Sequence, residues 1–261
     1  MFGKDLLVHM LDRRDTLPPD EIALIEALPV RPVTFGPDEE IVREGSRPTE
    51  SCLVANGFAV RNQAIREGKR QITAIHVPGD FVDLHSLLLK VMDHSVSALG
   101  SCDVVFIRHK DLLTAMGGSP HLTRMLWLST TIDASIQRTW ITCLGRRSAK
   151  QHLAHIICEL YVRLEIVGLA SDQKFAIPLT QAAMGDVLGL SVVHVNRTLQ
   201  ELRAKDLVIW KDRRIVILDF QRLALLADFD TTYLNLFHEP RWPPSAKTRR
   251  RTDAASRFLV K

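Results

Sequence analysis

The stretch Leu179–Arg203, LTQAAMGDVLGLSVVHVNRTLQELR, constrains this chain more than any other part of it. It reads as two short helices joined by a tight turn. Thr180 is placed to cap the first helix, since its hydroxyl can accept from an otherwise unpaired backbone N–H. Met184, Val187 and Leu188 give that helix one apolar face at helical spacing. Gly189 stands where the chain has to reverse, and glycine tolerates a positive φ. Ser191 can cap a second helix whose Val195, Leu199 and Leu202 face inward. Gly185, one turn before Gly189, leaves room where the second helix is expected to cross. Together these features describe a helix-turn-helix, the motif whose second helix enters the major groove of DNA.

The outer face of the second helix offers Ser191, Val192, Val193, His194, Asn196 and Arg197. Arg197 can grip guanine O6 and N7 with both arms of its guanidinium, or pair with a phosphate. Asn196 suits adenine, and the two valines suit apolar contacts such as a thymine methyl. Next comes LVIW–KDRR–IVILDF, an expected small hairpin with a charged tip, or wing. Arg203, Lys205, Lys211, Arg213 and Arg214 are placed for phosphates, which fix position without reading sequence. A plain helical hairpin with a solvated charged face is the bland alternative. Caps, turn glycine, apolar set and wing all agree against it.

The remainder divides by texture. Pro18 and Pro19 open a short expected helix with Ile22, Leu24, Ile25 and Leu28 on its apolar side. Met1–Leu17 gives no clear signal. From Val30 to about Arg108, short β-rich pieces (VTF, EIV, SCLVANGFAV, RQITAIHV, DVVFI) alternate with turn signals, which implies an antiparallel sandwich or jelly roll. Gly57 inside that pattern suggests a bulge or a close backbone approach. His109–Gly118 reads as a short helix. HLTRMLWLSTTIDASIQRTWITCLG follows as the longest helical signal, with Gly145 expected to break it. Its Leu122, Met125, Leu126, Ile132, Ile136 and Trp140 form a stripe that fits a dimer seam; burial against the chain's own sandwich is the alternative. RRSAKQHLAHIICELYVRLEIVGL makes a further helix with Leu153, Ile156, Ile157, Leu160 and Leu164 buried. ASDQK reads as a polar connection, and FQRLALLADF as a closing helix. The Pro-rich, basic end from Glu239 to Lys261, with Arg249, Arg250 and Arg251, has the composition of a disordered tail.

A net charge of +4 suits a phosphate-bearing partner without proving one. No apolar run approaches the roughly 20 residues that span a bilayer, and Met1–Arg14 lacks a signal-peptide core. A cytoplasmic location and no membrane partner are therefore expected. Cys52, Cys102, Cys143 and Cys158 lie far apart without a CxxC pair and read as buried small hydrophobes in a reducing compartment.

From about Leu24 to Phe229 the chain resembles the CRP/FNR family of bacterial transcription regulators. MGDVLGLSVVHVNRTLQELRAKDLVIW is similar to that family's DNA-binding core, GRRSAKQHLAHIICEL to the entry to it, and KRQITAIHVPGDFVD to the middle of its β-roll. The resemblance implies an α+β protein: an N-terminal segment (1–18), a cyclic-nucleotide-binding-like antiparallel β-roll or jelly roll (19–118), a long dimerisation helix (119–144), a winged helix-turn-helix (145–229) and a basic tail (230–261). It implies a homodimer on palindromic double-stranded DNA, with RNA polymerase as a further partner. Arg197 matches the family's DNA-contacting arginine. Val192 and Val193 stand where many relatives carry Arg and Glu, so the bases read should differ.

Relatives that bind cyclic nucleotides hold the ligand with a glutamate and an arginine. Leu84 and His94 stand at about those places, beside His85 and Ser95, and a neutral imidazole replaces a guanidinium poorly. Cyclic AMP is therefore not expected as a ligand. The oxygen-sensing branch's N-terminal cysteine cluster has no counterpart before Cys52, so no cofactor is expected, and an unknown effector or control by abundance alone both stay open. His76, His85 and His94 recur nine apart in the β-roll, a spacing that does not by itself demand a metal. A jelly-roll metalloenzyme is the reading from a different class. The β-roll contains no HxH pair, and the chain contains no GxSxG, P-loop or HExxH.

Overall fold

A computed structural model of the chain describes residues 3–64 and 68–236. The fold is mixed α and β, with helices flanking antiparallel sheets. Helix α1 (Gly3–Asp12) and helix α2 (Pro19–Glu26) lead into a roll of seven strands: β1 (Arg31–Phe35), β2 (Glu40–Val42), β3 (Glu50–Asn56), β4 (Ala59–Ala64), β5 (Arg70–His76), β6 (Ser95–Ala98) and β7 (Cys102–Arg108). They form two sheets, ordered β1-β7-β3 and β2-β6-β4-β5. Alternating apolar side chains from both, among them Val54, Ala59, Val96 and Val104, meet in the space between. Gly57 turns β3 into β4 at φ 78°. A Cβ there would lie 2.3 Å from the Ser101 carbonyl oxygen, so the close approach expected of this glycine is between backbones.

The first helix carried no clear sequence signal. Its apolar residues Leu6, Leu7, Met10 and Leu11 are buried. The turn at Gly79, φ 93°, lies beneath it, where a Cβ would sit 2.8 Å from Met10 Cγ. So short an amphipathic segment is made helical by the surface it covers rather than by its own propensity.

Helix α3 (His109–Gly118) leads to the long helix α4 (Pro120–Arg146), which Ser119 caps by accepting from Leu122 N. Gly145 falls within its last turn rather than ending it. The expected dimer stripe requires correction, because all six residues are at most 7% exposed within the single chain. Leu122, Met125 and Leu126 pack with Leu7, Ile25 and Leu112. Ile132, Ile136 and Trp140 pack with the β-roll's Val60 and Ile75 and with Leu153 and Ile156 of the next helix. Periodicity marks the face of a helix that is buried, not the partner that buries it. The opposite face of α4 carries Trp127 at 70% and Ile141 at 67% exposure.

Helix α5 (Ala149–Ile166) starts with a capping box between Ser148 and Gln151. The expected polar connection after it is instead a hairpin, β8 (Ala170–Ser171) and β9 (Lys174–Ala176), turning through Asp172 and Gln173 at positive φ. Helix α6 (Gln181–Leu188), helix α7 (Val192–Arg203), strands β10 (Val208–Lys211) and β11 (Arg214–Ile217), and helix α8 (Phe220–Ala227) complete the domain. The early hairpin joins the wing in one sheet ordered β10-β11-β9-β8, which gives the wing a base. A 3-10 turn, Thr232–Leu234, follows α8 with Leu234 buried, so the first part of the expected tail belongs to the core. The basic run at Arg249–Arg251 lies outside the described residues. No helix among the described residues is long and apolar enough to cross a membrane.

Candidate nucleic-acid interface and sensor cavity

The helix-turn-helix is built as the residues dictate. Thr180 accepts from Ala183 N at 3.1 Å and Ser191 from His194 N at 3.3 Å, so each helix starts on a side-chain cap. Gly189 adopts the left-handed conformation at φ 67°. The tight spot at Gly185 lies in the turn, not at the crossing helix: a Cβ there would meet the Leu190 carbonyl oxygen at 2.6 Å but Val195 Cγ2 only at 3.9 Å. Val195, Leu199 and Leu202 are buried as expected. Ser191, Val192, Val193, Asn196 and Arg197 are exposed and His194 half-buried, so one end of α7 presents a continuous outward face. The wing turns through Asp212 and Arg213, both at positive φ, in the two-residue form that matches strand twist. Lys211, Arg213 and Arg214 are exposed at its tip, and Arg203 and Lys205 at the end of α7. These side chains can supply phosphate contacts on both flanks of a groove-bound helix.

Two sets of polar contacts tie this unit to the β-roll. Arg70 Nε donates to Asp186 Oδ2 at 2.8 Å, and Gln71 Nε2 donates to the Val187 carbonyl at 3.0 Å, fastening β5 to α6. Deeper, Arg163 of α5 reaches Asp80 of the roll at 2.5 Å and Glu159 at 3.2 Å. The buried Glu159 also accepts from Trp140 Nε1 at 3.0 Å and from Tyr233 OH at 2.8 Å. Burial alone would raise the Glu159 carboxyl, but His155, Arg163 and Trp140 outweigh it and hold it below the ordinary range. Arg147 Nη1 lies 2.6 Å from His155 Nδ1 and can only donate, so that nitrogen accepts and Nε2 carries the proton toward Tyr233. One network thus joins roll, long helix, α5 and the chain's last described turn. Sequence reading passed over it because its members lie far apart along the chain.

The sensor half has an open-sided cavity of about 390 Å³ between β4, β5 and α4. Of the four expected pocket residues, His85 and His94 line it. Leu84 is turned into the apolar core and a smaller neighbouring cavity. Ser95 instead donates to Glu40 and accepts from Glu44 N on the sheet edge. The spacing of the three histidines does not carry through either, since the buried His76 faces the smaller cavity. Arg61 was missed by sequence reading; its only signal was an arginine within an apolar strand, FAVRNQA. It is 3% exposed and donates to Asp133 of α4 at 2.8 Å. Burial first, then the charge of Arg61, pushes the His85 imidazole down to about 4, and the same causes lower His94.

All four cysteines are free and buried. Burial pushes the Cys102 and Cys158 thiols up to about 12 and Cys143 to about 11, away from the reactive thiolate.

Asp83 is fully buried, with Oδ1 accepting from Cys52 N at 2.6 Å and Oδ2 without a hydrogen-bond partner among the described residues. Burial pushes its carboxyl up from 3.8 to about 7. A raised carboxyl means the folded state binds the extra proton, so its contribution is full below about 3.8 and is lost as pH rises through about 7. Asp83→Asn keeps the acceptor for Cys52 and removes the charge. Urea titrations at pH 5 and pH 8 should show a smaller loss of stability with rising pH in the variant than in the parent; equal losses would refute this role for Asp83.

The two halves match known families. Residues 32–118 match a cyclic nucleotide-binding domain, and residues 151–226 match a Crp-like helix-turn-helix domain. The chain belongs to the CRP/FNR family. It is 25% identical to the transcriptional activator protein FnrL of Cereibacter sphaeroides, over 74% of this chain and 79% of that protein. It is equally similar, 25%, to the electron transport regulator A of Shewanella oneidensis, over 81% of this chain and 84% of that one. The structure of FixK2 from Bradyrhizobium japonicum superposes with a TM-score of 0.69 at 27% identity, covering 76% of this chain and 98% of that one. This CRP/FNR protein is a DNA-binding transcription regulator and not an enzyme.

Proposed function

We propose that the chain is a homodimeric, cytoplasmic regulator that reads a two-fold symmetric DNA site and contacts RNA polymerase from it. The outward face of α7 carries this reading: its inner side is locked by Val195, Leu199 and Leu202 while Asn196 and Arg197 stand free of the core. Half-sites are expected one helical turn apart, roughly 10–10.5 bp between centres.

The second copy seats on the exposed face of α4. Trp127, Thr131, Ala134, Arg138 and Ile141 follow one another at alternating steps of four and three, the spacing of a two-helix seam. Trp127 and Ile141 are its largest exposed apolar groups. The Trp127→Glu, Ile141→Glu double variant should elute as a monomer in light-scattering chromatography. Its affinity for a full two-half-site duplex should fall on the order of 100-fold, because the second reading head is no longer tethered to the first. A variant that remains dimeric would remove this face from the interface.

The cavity in the roll is set against a cyclic phosphate. The charged residues lining it are Arg61, Asp93 and Asp133, and the arginine is already paired with Asp133. Calorimetric titration with cyclic AMP should show no saturable heat.

A further inference from the structure

The same charge balance that disfavours an anion favours a cation. His85, Asp93 and His94 each offer one ligand atom, and these atoms lie within 4.8 Å of one another. The two imidazole rings are neighbours, tilted 49° to each other with centroids 5.1 Å apart. Nε2 of His85 and Nε2 of His94 are both buried without a hydrogen-bond partner among the described residues. A buried polar atom is costly to leave without a partner, and each of these two rings carries one. Asp93 Oδ1 lies 2.7 Å from His94 Nδ1, and its side chain is 71% exposed at the rim of the cavity. All three residues line the 390 Å³ cavity.

We propose that this cluster is a site for a divalent first-row transition metal, held by His85, His94 and Asp93. Two imidazoles and a carboxylate suit such ions, and not the hard calcium or magnesium, which take all-oxygen cages. Ligands of one ion at about 2.0–2.2 Å stand closer together than 4.8 Å, so binding closes the cluster slightly. Asp93, on the loop before β6, and His85, in the 3-10 turn Leu84–Leu87, are the parts able to give. Three protein ligands leave a coordination position open to the cavity, where Asp133 and Gln137 of α4 form the far wall. The site therefore bridges two loops of the roll and abuts the helix that carries the dimer face.

The test is titration of the full-length, tag-free chain, stripped with chelator, with Co²⁺ and then Zn²⁺. The parent should take up one Co²⁺ per chain with the intense visible bands of a low-coordinate site, and Zn²⁺ should displace it. His85→Gln, His94→Gln and Asp93→Asn should each weaken binding by about tenfold or more. Asp93 is exposed enough that its variant folds, and circular dichroism melts confirm the other two. A parent that retains neither metal, or variants that bind as the parent does, would overturn the proposal. Because the titration needs no DNA, its failure would leave the reading of the helix-turn-helix untouched.

Discussion

Arg197→Ala is expected to weaken binding to the specific site by about 10- to 100-fold, the worth of one bidentate arginine–guanine pair, while leaving nonspecific DNA affinity nearly unchanged. Arg197 sits on the exposed face of α7, one turn above Val193, with the helix held behind it by buried Leu199 and Leu202. Removing it takes nothing from the core, so the melting temperature should stay where it is. Lys211→Ala is the contrast: deleting a phosphate-binding cation from the wing should weaken all sequences alike and reduce the salt slope by about 1. Fluorescence anisotropy with specific and scrambled duplexes, at two salt concentrations, separates the two. If Arg197→Ala lowers both duplexes equally, the residue serves the backbone and not a base.

Arg163→Met is expected to cost the most stability of any change outside the apolar core, about 3–5 kcal/mol. It leaves Glu159, with a side chain 1% exposed, and Asp80 without their shared cation. The pH dependence distinguishes this from poorer packing. In the parent, Glu159 is held below its ordinary 4.5, so its contribution is complete above that value and is lost as pH falls through the lower folded one. In the variant the carboxyl loses one of the charges that hold it down. The destabilisation should therefore be largest at neutral pH and shrink as pH falls below about 4.5. Adding Glu159→Gln to Arg163→Met should recover part of the loss, because the stranded charge is gone. A destabilisation independent of pH, with no recovery in the double variant, would mean that Arg163 acts through its aliphatic stem alone.

Such a pair also bears on how the halves communicate. Arg163 and Asp80 join α5 to the roll, and Arg70 and Asp186 join β5 to α6. The roll is thus fastened to the DNA-binding domain by two ionic joints, one at α5 and one at α6.

How much was legible beforehand differs from element to element. The helix-turn-helix was, down to both caps and the turn glycine, because capping, left-handed φ and amphipathic spacing are set by residues within a few positions of one another. The wing was legible for the same reason. Helix α1 was not, since it forms on the apolar floor that Gly79 opens and Met10 fills. The β8–β9 hairpin was read as a connection because strands of two and three residues have no pattern of their own; pairing with β11 makes them.

The sequence alone determined the class of the molecule, its reading helix and the fact that α4 buries one stripe. Only the tertiary structure decided which surface takes that stripe. The stripe that starts at Leu122 and ends at Trp140 goes to the chain's own core, and Trp127 and Ile141 on the other side are left exposed. It likewise decided that Asp93, not His76, joins His85 and His94, and that Arg61 meets Asp133 from seventy-two positions away. The physical reason is the same in each case. Local order follows from torsions and nearest neighbours, whereas burial and charge pairing depend on which distant surfaces the folded chain brings together.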